Sequence, residues 1–153
     1  MPTFQTRRRV AFTPQQMFAV VADVEAYPEF VPLCESVHVV RREQCGETAV
    51  LVARMSVGYK AIHESFTSRV TLVPAEPRVV VEYLDGPFRT LENRWRFEPA
   101  PGGTDVDFYI AYEFRSAMLG AVMGAVFDRA FRRFAEAFEE RARVVYGRAP
   151  LPA

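Results

Sequence analysis

The chain has 153 residues, long enough for one domain with a substantial core, and its hydrophobic fraction of 50% sits at the top of the globular range. Nineteen basic residues balance nineteen acidic ones, so zero formal charge excludes an overall positive field that would draw the chain to nucleic acid or anionic lipid. Cys34 and Cys45, without companion histidines, make neither a zinc site nor a redox pair by spacing, and a reducing compartment is expected.

From Thr3 to Phe12, Phe4, Thr6, Val10 and Phe12 alternate with Gln5, Arg7, Arg9 and Ala11, the period-2 pattern of a half-buried strand, with Arg8 as the exception on the inner row. Thr13 then caps a helix: Pro14 stands at its first position and Gln16 completes a capping box, with the end expected near Val24. Pro28 and Pro32 permit at most one helical turn between them, so a short second helix or turn follows.

Five strand-like runs come next, at 36–43, 47–57, 61–73, 78–85 and 90–98, separated by turn residues short enough for hairpins. A further strand at 105–115 alternates cleanly, with Val106, Phe108, Ile110, Tyr112 and Phe114 on one face. From Ser116 to Tyr146 the period changes to 3.6, with Leu119, Met123, Phe127, Phe131, Phe134, Phe138 and Val145 on one stripe and Gly147 as the stop. The spacing predicts one unbroken helix of roughly 45 Å.

This order gives an α+β fold: a curved antiparallel sheet of about seven strands wrapped around one long C-terminal helix, with two short helices after strand 1. Residues 1–147 are expected to form a single domain and 148–153 a flexible tail. No secretory leader and no spanning stretch is read, so the expected location is the cytoplasm.

The apolar parity of each strand predicts an inner surface of Leu51, Ala53, Met55 and Val57, then Ile62, Phe66, Val70 and Leu72, then Leu91, Trp95 and Phe97, then Phe108, Ile110 and Phe114. Glu64 and Asn93 fall on the same rows, as polar groups that would orient a ligand in an apolar site. Gly120 and Gly124, inside an all-apolar stretch from Ala117 to Phe127, suggest either a groove or close packing on a strand. His38 and His63 take the outer parity and are read as solvated, so Glu64 with Tyr112 is the one acid/base pair the sequence offers.

Asp23-Val24-Glu25-Ala26-Tyr27-Pro28-Glu29-Phe30-Val31-Pro32-Leu33-Cys34, followed by Gly86-Pro87-Phe88-Arg89-Thr90-Leu91 and Trp95-Arg96-Phe97, resembles the coenzyme-Q-binding branch of the START-like, polyketide cyclase/dehydrase superfamily. Phe138-Glu139-Glu140-Arg141-Ala142 and Tyr146-Gly147 are similar too, whereas Leu33 stands where that family carries an aromatic between proline and cysteine. The resemblance implies a helix-grip fold, no catalytic machinery, no cofactor or metal, and ubiquinone or another polyprenyl lipid as ligand in support of respiration. On that expectation Leu33, Met55, Phe66, Trp95, Phe97, Phe108, Phe114, Met123 and Phe127 wall the cavity, and Glu64, Asn93 and Tyr112 meet the ring oxygens.

Phe30, Val31, Leu33 and the start of the long helix would form an apolar lip resting peripherally on the inner face of the cytoplasmic membrane. The same branch includes a bacterial toxin that blocks ribosomal subunit association, which makes the large ribosomal subunit the alternative partner. Arg7, Arg8, Arg9, Arg41 and Arg42 would supply the basic patch this needs if the first two strands are neighbours.

Overall fold

A computed structural model describes residues 3–147, and the expected tail at 148–153 lies outside the described residues. Strand β1 (Thr3–Val10) leads through helix α1 (Pro14–Ala22) and a 3-10 turn (Val24–Glu29) into six strands: β2 (Cys34–Cys45), β3 (Thr48–Tyr59), β4 (Ile62–Val73), β5 (Arg78–Asp85), β6 (Phe88–Ala100) and β7 (Gly103–Phe114). Two helices close the chain, α2 (Ala117–Arg132) and α3 (Phe134–Tyr146). All seven strands join one antiparallel sheet in the order β1-β7-β6-β5-β4-β3-β2, so consecutive hairpins build it and only β1 pairs out of sequence.

The capping box of α1 forms as the sequence requires: the Thr13 hydroxyl accepts from the Gln16 amide at 3.1 Å, and the Gln16 side chain accepts from the Thr13 amide at 2.9 Å. The helix ends at Ala22, two residues before the expected end, where the 3-10 turn holding Pro28 takes over. Arg8, the exception on the inner row of β1, meets Glu139 of α3 at 2.7 Å; this carboxylate is buried and also accepts from Arg143 at 3.2 Å. An ion pair thus accounts for the exception on that row.

The single C-terminal helix does not survive. It breaks at Arg133, whose amide turns back to the carbonyls of Ala130 and Phe131 in a tightened turn. The break keeps the aromatic stripe over a curved sheet: Phe131 contacts Phe134 at 5.2 Å between ring centroids, Phe134 contacts Phe138 at 6.4 Å, and Phe138 reaches Trp95 of β6 at 4.8 Å. Helix α3 also packs on α1, whereas α2 lies against β7 and β1.

Backbone approach is close at the turn between β5 and β6. Gly86 has φ +146°, and a Cβ there would lie 2.5 Å from the Cβ of Phe66, so glycine is what lets that ring sit against Phe88. No close approach requires glycine at Gly120 or Gly124: a Cβ on Gly120 would make only ordinary contact with Phe114 of β7 at 3.7 Å, and one on Gly124 would meet open space. No helix among the described residues is long and apolar enough to cross a membrane.

Candidate ligand cavity

A cavity of about 100 Å³ lies between the inner face of the sheet and the two C-terminal helices. Strand β3 contributes Ala53, Met55 and Val57, β4 contributes Phe66, Ser68 and Val70, and β6 contributes Phe88, Leu91, Asn93 and Trp95. Phe127, Ala130 and Phe131 of α2 with Phe134 and Phe138 of α3 form the roof, and Tyr27, Val31, Pro32 and Leu33 close one end.

Six of the twelve residues expected at the site line it: Leu33, Met55, Phe66, Asn93, Trp95 and Phe127. The other six do not, because the inner face of the sheet is longer than the cavity and other elements cover its ends. Phe97 turns to Phe18 of α1, and Phe108 is packed behind Trp95 at 4.6 Å. Phe114 stacks on Phe88 at 4.8 Å, and Met123 is buried one turn before Phe127. The Tyr112 hydroxyl donates to the Gly124 carbonyl at 3.4 Å, which removes it as a ligand partner. Glu64 pairs in register with Val57 near the end of its hairpin, half-buried and outside the lining. Strands β5 and β6 separate β4 from β7, so Glu64 and Tyr112 form no acid/base pair.

Residues missed from the sequence fall into two kinds. Phe131, Phe134 and Phe138 already lay on the inner helical stripe, and Ser68 on the inner row of β4, so periodicity placed them, but of that stripe only Met123 and Phe127 had been gathered into the wall. Phe88 was hidden: it has the outward parity of β6, and a bulge between Phe88 and Thr90 turns it inward.

The polar content of the lining is small. Tyr27 donates its hydroxyl to the Val21 carbonyl at 2.5 Å, and burial raises its pKa. Asn93 donates Nδ2 to the Tyr109 carbonyl at 2.9 Å. The Ser68 hydroxyl is buried and has no hydrogen-bond partner among the described residues, a condition that costs about 1–3 kcal/mol. At the end of the cavity Leu33 has φ +70°, a conformation unfavourable for a side chain of its size, held by a bond from the Gly58 amide to its carbonyl at 3.0 Å. Beside it the Cys34 thiol is pushed up to about 11, first by burial and then by the nearby Glu35.

Outside the cavity, His38 and His63 are exposed, as their parity implied, and His63 Nδ1 lies 2.9 Å from Glu35. No cluster of His, Cys, Asp or Glu able to hold a metal occurs among the described residues. The expected arginine patch is not assembled, because β1 and β2 are the two opposite edges of the sheet. Its members are also neutralised: Arg7 is shared by Glu98, Asp105 and Asp107, Arg9 by Asp105, Arg8 by Glu139, Arg41 by Glu43 and Arg42 by Glu25. The expected lip fails in part as well. Val31 is buried, and Phe30 packs edge-on to Tyr27 and Phe138 at 5.9 and 5.0 Å under the Arg141 guanidinium.

Residues 10–139 match the model of the family described as polyketide cyclase / dehydrase and lipid transport. The chain belongs to that family. Among its relatives is the ribosome association toxin RatA of Vibrio cholerae, 34% identical over 139 residues, which cover 90% of this chain and 93% of that protein. The mitochondrial coenzyme Q-binding protein COQ10 homolog B of Xenopus laevis is 31% identical over 94% of this chain and 59% of its own length. A START superfamily protein from Mycobacterium smegmatis superposes with a TM-score of 0.77 at 21% identity, covering 94% of this chain and 98% of that one, and shares the helix-grip fold.

Proposed function

We propose that this family member is a non-enzymatic carrier that takes ubiquinone, or another polyprenyl lipid, into the cavity between the sheet and α2–α3 in support of respiration. The observation that carries the reading is the lining itself, which holds no charged side chain and is built from aliphatic and aromatic groups around a few neutral polar ones. The likeness to COQ10 supplies the choice of quinone. At about 100 Å³ the cavity is smaller than the roughly 300 Å³ at which drug-sized sites begin, so loading requires the rings that roof it to swing aside. Helix α2 turns Met118 and Val122 outward, 79% and 54% exposed, and this face would rest on the membrane that holds the lipid.

The test is mass spectrometry of an organic extract from protein purified gently from a quinone-producing host. Its control is Ala53→Phe, which fills the cavity from β3. A stoichiometric polyprenyl lipid lost in the control supports the carrier; no lipid in either folded sample removes it.

A ribosome-directed role rests on the likeness to RatA. The paired arginines of β1 and β2, on opposite edges, offer little uncompensated charge to RNA. Co-sedimentation with large ribosomal subunits that weakens steeply with salt would favour that role over the carrier.

A further inference from the structure

We infer that Ser68 is the specificity-determining donor of the cavity, and that the occupant it selects is a lipid with an uncharged, oxygen-bearing head, seated head-inward. The inference rests on the carrier reading and adds the chemistry of its cargo.

Ser68 occupies the inner row of β4, opposite Ala53 of β3 on one side and Tyr83 of β5 on the other. Its neighbours along that row are Phe66 and Val70, and the residue is 5% exposed. Alanine or valine would fit such surroundings without burying a polar atom. The hydroxyl has no partner among the described residues, so its hydrogen-bonding capacity faces the cavity it lines. The Tyr27 hydroxyl is already committed to Val21, and one of the two N–H groups of the Asn93 amide to Tyr109. The Ser68 hydroxyl therefore supplies a directed bond to an incoming carbonyl or ether oxygen.

The head is uncharged because no lysine, arginine or histidine lines the cavity. A carboxylate or phosphate placed there would lose its hydration with no counter-charge to replace it. Fatty acids and prenyl phosphates are thereby rejected, while quinones, ketones and esters are admitted. Since Ser68 lies on the covered face of an interior strand, an oxygen bonded to it sits deep, and the isoprenoid tail runs outward along the aromatic roof.

The experiment compares the wild type with Ser68→Ala, using three probes: a short-chain ubiquinone, squalene as a polyprenyl hydrocarbon without oxygen, and a farnesyl carboxylate at pH 7. The variant is expected to melt no lower than the wild type, because it loses an unpartnered hydroxyl rather than a contact. Its affinity for the quinone should fall roughly 5- to 15-fold, the loss of one directed hydrogen bond, while squalene binding is unchanged. The carboxylate should bind the wild type at least about tenfold more weakly than the quinone. Unchanged quinone affinity in Ser68→Ala, or equal losses for quinone and squalene, overturns the role of Ser68. Equal binding of carboxylate and quinone overturns the exclusion of charged heads. A wild type that binds neither squalene nor quinone overturns the carrier reading itself.

Discussion

Phe134 is the position at which a self-filled cavity can be told from a permanently open one. Its ring follows the break at Arg133, lines the cavity half-buried, and touches Phe108, Phe131 and Phe138 at centroid distances of 5.8, 5.2 and 6.4 Å. Phe→Ala costs about 3–5 kcal/mol at a fully buried site, so about 2 kcal/mol is expected here, or roughly 4–8 °C in Tm for a chain of this size. If the ring must be displaced for the ligand to enter, a quinone filling the vacated space recovers that burial, and Kd falls by roughly 30-fold. Calorimetric titration of Phe134→Ala with a short-chain ubiquinone, alongside thermal melts with and without it, reads both quantities. A folded variant whose affinity is unchanged or weaker would refute the displacement argument and make Phe134 a wall of a cavity already open.

Arg8→Ala should cost less than about 1 kcal/mol in urea unfolding, because Arg143 still holds Glu139, whereas Arg8→Ala with Arg143→Ala leaves a buried carboxylate alone and should cost about 3–5 kcal/mol. Asp105 has its pKa lowered from 3.8, chiefly by hydrogen bonds from Arg9 and Arg7, with burial opposing; its contribution is full above that ordinary value and is lost as pH falls through the depressed one. Melts from neutral to acid pH should therefore show a shallower acid loss in Asp105→Asn. Iodoacetamide at pH 8 should label exposed Cys45 and leave Cys34 unmodified until the chain unfolds, as mass mapping would show. His63→Ala, on the outer face, should change stability by less than about 0.5 kcal/mol and leave quinone binding intact.

Alternation along the strands made the sheet legible, since each inner row is a run of apolar side chains at period two and each turn carries its own punctuation. The capping box placed α1 for the same local reason. What escaped were features set by more than one element. The bulge that brings Phe88 inward is a fault in pairing between β6 and β7 and leaves no mark on the composition of either. The break at Arg133 has no proline or glycine to announce it, and the apolar stripe reads as continuous across it. The arginines of β1 and β2 looked like neighbours because those strands are consecutive, but β1 crosses to the far edge to pair with β7. Half of the expected site lies outside the cavity because parity tells which face a residue occupies and not which part of that face another element covers.

The crossing of β1 also bears on how the chain is made. Arg7 meets its partner Asp107 across 100 positions of sequence, so β1 leaves the ribosome long before β7 and is the last of the seven strands that can find its place in the sheet. Until then the hairpins from β2 onward can assemble with one flank of β7 unpaired, an edge open to strands of other chains. Asp105 and Asp107 lie along that flank, and their negative charges repel identical copies of themselves while attracting Arg7 and Arg9. The ion pairs that neutralise the arginines in the finished protein thus double as an address label, directing the nascent edge to its own amino-terminal strand ahead of a stranger's.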